Sequence, residues 1–378
     1  MALPRDSFGP EYIVRLTDPK LDLEGFLVID NTALGPGKGG IRMTPTVTLE
    51  ETFRLARTMT WKNALSGIPF GGAKAGLVIK SQTGEEKKKL VQSFARALKP
   101  LIPKKYIAGP DVKSGEEEMQ WFAEAVGKWN ASTGKPSHFC TDKGGRKICG
   151  LPHELGSTGF GVAHAAKVAA EVLGLPLRGA KVAIEGFGNV GVFAMKHLTE
   201  FGARVVAVSD SRGAIFSEGG IEYENLVNVK KGGSVTNYSR AQVIPRDELL
   251  SLQVDILITA ALTDVINEKN KDSIRAKLIV EGSNIPMREE VEHELWRKGT
   301  AIVPDFVANA GGVISSYAEY RGMSPEEMFK LVERKIVKAT RQVLRESKKH
   351  KRHPREVAVE IAKKKVEEKN KKRTVTFS

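Results

Sequence analysis

The sequence predicts an α/β protein of two domains. Three observations lead there. A chain of 378 residues exceeds one ordinary domain. Short apolar runs alternate with helical patterns through most of it. Many of its 37 glycines cluster in turns beside those runs, where backbone can approach closely. The composition, 41% hydrophobic and 28% charged, is that of a globular protein. No apolar run reaches the roughly 18 residues of a membrane span, and Met-Ala-Leu-Pro-Arg-Asp at the start lacks the apolar core of a signal peptide. Cys140 and Cys149 are too few for a disulfide scaffold or a zinc ribbon. A soluble, cytoplasmic protein is the expectation.

In chain order, 25–30 reads as a strand, followed by a loop carrying Gly35, Gly37, Gly39 and Gly40. Thr48-Leu-Glu-Glu51 has the spacing of a capping box and starts a helix toward Lys62. Residues 76–79 form a second strand, 85–98 a helix stopped before Pro100, and 106–108 a short strand. Ser114-Gly-Glu-Glu117 is a second capping box, opening a helix that reaches Trp129. This first α/β unit is bounded at 1–153. A helix from 156 to 173 ends at Gly174 and Pro176. Apolar runs at 181–184, 204–209, 254–260, 277–280 and 300–303, most of them separated by helical patterns, argue for a parallel, doubly wound sheet within 154–354. After a third capped start at Ser324-Pro-Glu-Glu327 the chain is helical and charged.

The run Val182-Ala-Ile-Glu-Gly186-Phe-Gly188-Asn189-Val190-Gly191 places Gly-x-Gly-x-x-Gly between a strand and a helix. Gly186 permits the tight turn, Gly188 lets backbone approach a pyrophosphate, and Gly191 allows close helix–strand packing. The free N–H groups of the following helix then face the phosphates. Asp210 comes 19 residues past Gly191, after the next strand, where a carboxylate can hold ribose hydroxyls. This is the fingerprint of a Rossmann-type dinucleotide-binding domain. The Asp210 carboxylate favours NAD; Ser209, Ser211 and Arg212 beside it leave NADP open.

Three segments of the first half set lysines among glycines or small residues: Lys38 in 37–42, Lys62 in 59–63, and Lys74 in 71–76. Lys74 lies between Pro69-Phe-Gly-Gly and the strand at 76–79, so partial burial is expected. Burial or a neighbouring ammonium depresses a lysine pKa and frees an amine to act as a base. Asp111 follows the strand at 106–108, where strand-end loops collect catalytic groups in α/β proteins. On local grounds alone, the lysines read equally well as structural, and Asp111 reads more readily as a turn aspartate.

Together these segments closely resemble the glutamate/leucine/phenylalanine/valine dehydrogenase family. The likeness runs from about residue 24 to 366. Six ordered motifs carry it: Gly35-Pro-Gly-Lys-Gly-Gly-Ile-Arg42, Met59-Thr-Trp-Lys-Asn63, Ile68-Pro-Phe-Gly-Gly-Ala-Lys74, Gly109-Pro-Asp-Val112, the glycine fingerprint, and Asn309-Ala-Gly-Gly-Val-Ile-Ser-Ser316. The resemblance implies an NAD(P)-dependent amino-acid dehydrogenase. Its first domain would bind substrate and oligomerise, with 355–378 returning as a helix onto it. By the same resemblance Lys74 activates water, Asp111 exchanges protons with the amino group, and Lys62 binds the α-carboxylate. Lys38 and Ser316 receive a side-chain carboxylate, which points to L-glutamate, 2-oxoglutarate and ammonia. Thr158, Asn189, Asn284 and Asn309 match dinucleotide contacts beside Gly186, Gly188, Val190 and Gly191. A homo-oligomer is implied, with a hexamer as the expected form. The alternatives are a leucine-, valine- or phenylalanine-type enzyme and a non-catalytic regulatory paralogue.

Net charge is +14, but 18 basic and 6 acidic residues from 330 to 378 account for +12 of it. The nearly neutral remainder does not suit a nucleic-acid channel. In the tail, Val357, Ala358, Ile361, Ala362 and Val366 keep helical spacing, so its charges read as the solvated face of a packed helix. His138 and His153 near the cysteines match no zinc spacing, and no metal is expected.

Overall fold

Strands β1 (Tyr12–Asp18), β2 (Leu23–Asn31), β3 (Gly37–Thr44), β4 (Gly71–Val78) and β5 (Tyr106–Gly109) form a sheet in the order β1-β2-β4-β3-β5. The coordinates are a computed structural model that describes residues 4–80 and 84–375; the outermost ends of the ranges 1–153 and 355–378 lie outside the described residues. β3 runs parallel to β4 and β5, while β2 is antiparallel to both β1 and β4. Side-chain alternation sorts the faces. Ala73, Ala75 and Leu77 join Leu27, Ile29, Ile41 and Met43 in one core with Leu90, Phe94, Met119 and Phe122. The opposite face of β4, with Gly72, Lys74 and Gly76, meets helix α1 (Leu49–Ser66). The core face is closed by α2 (Gly84–Leu98) and α3 (Glu116–Val126).

Two sequence expectations are corrected here. The glycine-rich loop is strand β3, and Lys74 stands inside β4 rather than ahead of a strand at 76–79. The reason is packing. A Cβ at Gly39 would lie 1.7 Å from the Ala73 carbonyl oxygen, and one at Gly72 would lie 2.0 Å from Thr60 Oγ1. Glycine therefore serves close approach here, not a turn. The Thr48 hydroxyl accepts from the Glu51 N–H at 3.1 Å, and α1 runs on to Ser66, beyond Lys62. The second capping box is displaced by one residue. Glu118 accepts from the Gly115 N–H at 2.7 Å, while Ser114 Oγ accepts from the Asp111 N–H and donates to the Ile41 carbonyl. Its helix stops at Val126, before left-handed Gly127, and so falls short of Trp129.

Strands β6 (Cys140–Lys143) and β7 (Arg146–Cys149) form a hairpin that the sequence reading did not foresee. Cys140 and Cys149 face each other across it and are joined as a disulfide.

The second sheet comprises β8 (Lys181–Glu185), β9 (Arg204–Asp210), β10 (Gly213–Phe216), β11 (Gln242–Ile244), β12 (Ile256–Thr259), β13 (Leu278–Glu281) and β14 (Ala301–Val303). Its order is β11-β10-β9-β8-β12-β13-β14. The five strands from β9 to β14 along that order are parallel, as a doubly wound sheet requires. β10 and β11 add an antiparallel edge that was not predicted. Around the sheet lie α4 (Ser157–Leu173), α5 (Asn189–Glu200), α6 (Tyr223–Lys231), α7 (Glu248–Ser251), α8 (Glu289–Arg297) and α9 (Asp305–Ala308).

Three helices complete the chain: α10 (Gly311–Arg321), α11 (Pro325–His350) and α12 (Pro354–Val375). A full capping box opens α11, with Glu327 N–H donating to Ser324 Oγ and Ser324 N–H donating to the Glu327 carboxylate. On α12, Val357, Ala358, Ala362 and Val366 are buried. The chain divides into two compact units: Met1–Leu155 with Val313–Leu331 and Val359–Ser378, and Gly156–Gly312 with Val332–Ala358. The sequence boundaries 154–354 placed Val313–Leu331 in the second domain. It joins the first because Tyr317 and Tyr320 pack edge-on against Phe70 and Glu319 binds Lys135. The return begins after Arg355, which is held by Glu281, Glu292 and Asp305 of the second unit. Among the described residues no helix is long and apolar enough to cross a membrane.

Candidate active site

In the first unit, Lys38 lies opposite Gly72 in the β3–β4 ladder, so Lys38 and Lys74 fall on adjacent strands of one sheet face. Lys74 is 6% exposed, and its Nζ meets Asp111 Oδ1 at 2.9 Å. Arg42 Nε donates to Asp111 Oδ2 at 3.0 Å and also pairs with Glu51. Burial would raise the Asp111 pKa, but the Lys74 and Arg42 cations outweigh it and keep the carboxyl below its ordinary range. Lys38 is 3% exposed and donates to the Ala108 carbonyl at 2.8 Å. A Cβ at Gly109 would lie 2.3 Å from its Nζ, so glycine makes room for the ammonium. Burial lowers the Lys38 pKa to about 7; Glu319 opposes that, while Lys135 and Lys74 add to it. Lys62 is half-buried on α1, and Ser316 half-buried on α10.

The sequence reading did not single out Arg42, Lys135 or Glu319. Arg42 closes the glycine motif that carries Lys38. Lys135 follows Gly134 directly, and Glu319 stands three residues after Ser316 on the same helix.

In the second unit, the glycine turn links β8 to α5. Gly186 has φ 100°, and a Cβ there would strike Ala261 at 2.4 Å; at Gly191 it would lie 1.9 Å from the Gly186 carbonyl oxygen. Gly188 differs: it is exposed, with nothing within 4 Å of where a Cβ would stand. The tight turn, the open approach at Gly188 and the start of α5 at Asn189 suit a pyrophosphate. Val190 is half-buried in that first turn, and Thr158 is buried in the first turn of α4. Chain connections diverge between β8 and β12, where doubly wound sheets bind ligands. Past the end of β13, the Asn309 amide donates to Asn284 Oδ1 at 2.9 Å and to the Ser283 carbonyl at 3.3 Å. These residues fit a bound dinucleotide.

Asp210 is placed differently from the sequence expectation of a ribose ligand. Its Oδ1 accepts from Arg212 N–H at 2.9 Å and Ser234 Oγ at 3.0 Å. Its Oδ2 accepts from Lys230 Nζ at 2.6 Å and Val235 N–H at 2.9 Å. Four donors occupy the carboxylate's four acceptor positions. Burial pushes its pKa up, but Lys230 and the other donors outweigh that and hold it at about 2.

The family model of the Glutamate/Leucine/Phenylalanine/Valine dehydrogenases matches residues 150–374, and that of the Glu/Leu/Phe/Val dehydrogenase dimerisation domain matches 11–128. The glutamate dehydrogenase of Aeropyrum pernix is 40% identical over 330 residues, 83% of this chain and 77% of that protein. The NADP-specific glutamate dehydrogenase of Saccharolobus shibatae is 37% identical over 336 residues, 84% and 77% of the two chains. The hetero-hexameric glutamate dehydrogenase of Thermus thermophilus, solved in a leucine-bound form, superposes with a TM-score of 0.83 at 29% identity, covering 96% of this chain and 90% of that one. Two matching family models, a glycine turn shaped for a dinucleotide and a buried lysine paired with an aspartate lead to one conclusion: the chain belongs to the Glutamate/Leucine/Phenylalanine/Valine dehydrogenase family.

Proposed function

We propose that the protein catalyses the reversible oxidative deamination of L-glutamate to 2-oxoglutarate and ammonia, with NAD(P) as hydride acceptor. The observation that carries this reading is buried Lys74, paired with half-buried Asp111, on the same sheet face as buried Lys38. The relatives named above as glutamate dehydrogenases support it. The dinucleotide, held at Gly186, Gly188, Asn189, Val190 and Gly191 with Thr158, Asn284 and Asn309 nearby, supplies hydride acceptance when bound.

The chain's own residues bind, orient and move protons. Lys62 pairs with the α-carboxylate, and Lys38 with Ser316 receives the side-chain carboxylate. A buried ammonium without a partner is costly, which favours a substrate bringing a second negative charge over an aliphatic one. Asp111, kept ionised by Lys74 and Arg42, takes a proton from the substrate amino group and later returns it to departing ammonia. Lys74 orients and activates the water that adds to the imine carbon, trading a proton with Asp111 across their 2.9 Å contact. Arg42 stays charged throughout and holds the Asp111 carboxylate in place.

Asp210 bears on the choice of dinucleotide. A saturated carboxylate paired with Lys230 neither captures a ribose hydroxyl nor repels a 2′-phosphate strongly. In this reading the enzyme accepts NADP as well as NAD. The assembly is an oligomer, with a homohexamer as its proposed form. Reductive amination assays test the function: 2-oxoglutarate and ammonia should consume NADH or NADPH rapidly and 4-methyl-2-oxopentanoate slowly. Equal rates with both oxo acids, or faster turnover of the branched one, refute the glutamate assignment.

A further inference from the structure

Glu319 takes no part in the reaction just described, yet it is wholly buried and fully engaged. Its Oε1 binds Lys135 Nζ, and its Oε2 accepts from the Gly134 N–H at 2.7 Å and the Leu151 N–H at 2.9 Å. Lys135 is buried as well; it donates to the Ser132 carbonyl at 2.6 Å and stands 4.0 Å from the centre of the Trp129 ring. The Gly134 and Leu151 N–H groups and the Ser132 carbonyl need buried polar partners, but neutral amides would serve them, so a structural role alone does not call for an ion pair.

Two paths connect this pair to the residues assigned to the side-chain carboxylate. The first runs through the backbone. Ser132, held by Lys135, bridges to Ala108, and the Thr133 N–H donates to the Ala108 carbonyl at 3.0 Å. That same carbonyl accepts from Lys38 Nζ at 2.8 Å. The second runs along α10, where Ser316 stands three residues before Glu319 and so on the same side of the helix. Tying down Glu319 fixes the helix rotation that aims Ser316.

We propose that Glu319, together with Lys135, is a positioning residue that sets Lys38 and Ser316 to receive the distal carboxylate of a dicarboxylic amino acid, and so governs substrate choice rather than chemistry. The proposal rests on the assignment of Lys38 and Ser316 made above. Charge supports it: Glu319 favours the ammonium form of Lys38 against burial and against the cations Lys135 and Lys74.

The test is Glu319→Gln, which keeps the shape and an acceptor for Gly134 and Leu151 but removes the charge. KM for glutamate and 2-oxoglutarate should rise about tenfold or more while kcat changes little, in line with loss of a charged hydrogen-bond partner. KM for 2-aminopentanoate, which has the same carbon chain without the distal carboxylate, should stay constant. The pH above which glutamate binding weakens should fall. In a Lys38→Met/Ser316→Ala background, which lacks both assigned carboxylate ligands, Glu319→Gln should leave the glutamate to 2-aminopentanoate ratio where that background alone puts it. Equal losses on both substrates, or a further loss of that ratio in the triple variant, overturn the proposal. Should Glu319→Gln fail to fold by circular dichroism, Lys135→Gln/Glu319→Gln replaces the ion pair with an amide pair and carries the same expectations. Wild-type protein that turns over no glutamate with either dinucleotide refutes the parent assignment and this proposal with it. Wild-type turnover with an unmoved substrate ratio in the variant refutes only the role of Glu319.

Discussion

Replacing Lys38 by methionine should make the protein more stable and less able to use glutamate. The two effects have one origin. Lys38 is 3% exposed, and burial brings its pKa down to about 7 from an ordinary 10.5. A base whose folded-state pKa is lowered binds protons less readily when folded. Its cost to stability is absent above pH 10.5, grows as pH falls through that value, and is fully present below 7. At about 1.4 kcal/mol per pKa unit the cost is on the order of 4 kcal/mol at pH 7. Methionine follows the same path through the core without a charge. It forfeits the hydrogen bond to the Ala108 carbonyl, worth about 1 kcal/mol, although the Thr133 N–H still satisfies that carbonyl. Lys38→Met should therefore raise the unfolding free energy by roughly 3 kcal/mol at pH 7 and by far less at pH 10. In catalysis the sign reverses. A substrate carboxylate buried without its partner loses about 3–5 kcal/mol, or some hundred- to several-thousandfold in kcat/KM for glutamate, with little change for a monocarboxylic substrate. Urea denaturation at the two pH values and paired kinetics measure both quantities. A variant less stable than wild type at pH 7, or one with an unchanged substrate ratio, refutes the reasoning.

Three other outcomes follow from the same geometry. Lys74→Ala should cut turnover by about 10²–10⁴-fold, the range of a lost acid–base group, with dinucleotide affinity by fluorescence titration unchanged; a parallel fall in affinity would place Lys74 in cofactor binding instead. Lys230→Ala frees a lone pair on Asp210 and removes a cation, so the ratio of NADP to NAD dissociation constants should rise about tenfold or more, the scale of a charged hydrogen bond; an unmoved ratio would exclude this corner from recognition. In the second unit, burial raises the Glu292 pKa to about 7, so its contribution is present below 4.5 and lost as pH rises to 7, roughly 3 kcal/mol in all. Burial lowers the His353 pKa to about 4, so its contribution is lost as pH falls from 6.5 to 4. Thermal melting should show Glu292→Gln stabilising at pH 8 and not at pH 4.5; the reverse order would refute the assignment.

The doubly wound sheet was legible because its five parallel strands are apolar runs and its glycine turn has a fixed spacing. The first sheet was harder to read. Its central strand, Gly71-Gly-Ala-Lys-Ala-Gly-Leu-Val78, lacks the β-branched residues that announce a strand until its last position. Small residues are required there by a helix that presses within 2.0 Å of a virtual side chain at Gly72, and no local pattern carries that information. Lys38, Lys74 and Asp111 could be singled out from their glycine neighbours, but their surroundings could not. Glu319 meets Lys135 across 184 positions of sequence, and three of the four donors that saturate Asp210 lie 20 to 25 residues further on. Both depend on how distant segments return, which spacing along the chain does not encode. Strands β10 (Gly213–Phe216) and β11 (Gln242–Ile244) begin on glycine and glutamine and carry only three and two apolar residues, so they did not stand out as apolar runs.

The closed β6–β7 hairpin has a practical sequel. Because Cys140 and Cys149 are the only cysteines and each is bound to the other, the oxidised protein offers no thiol to alkylating or maleimide reagents. A single cysteine introduced on the exposed face of α11 or α12 would thus be the unique attachment point for a dye or spin label. Any label appearing at the hairpin would report its reduction, one molecule at a time.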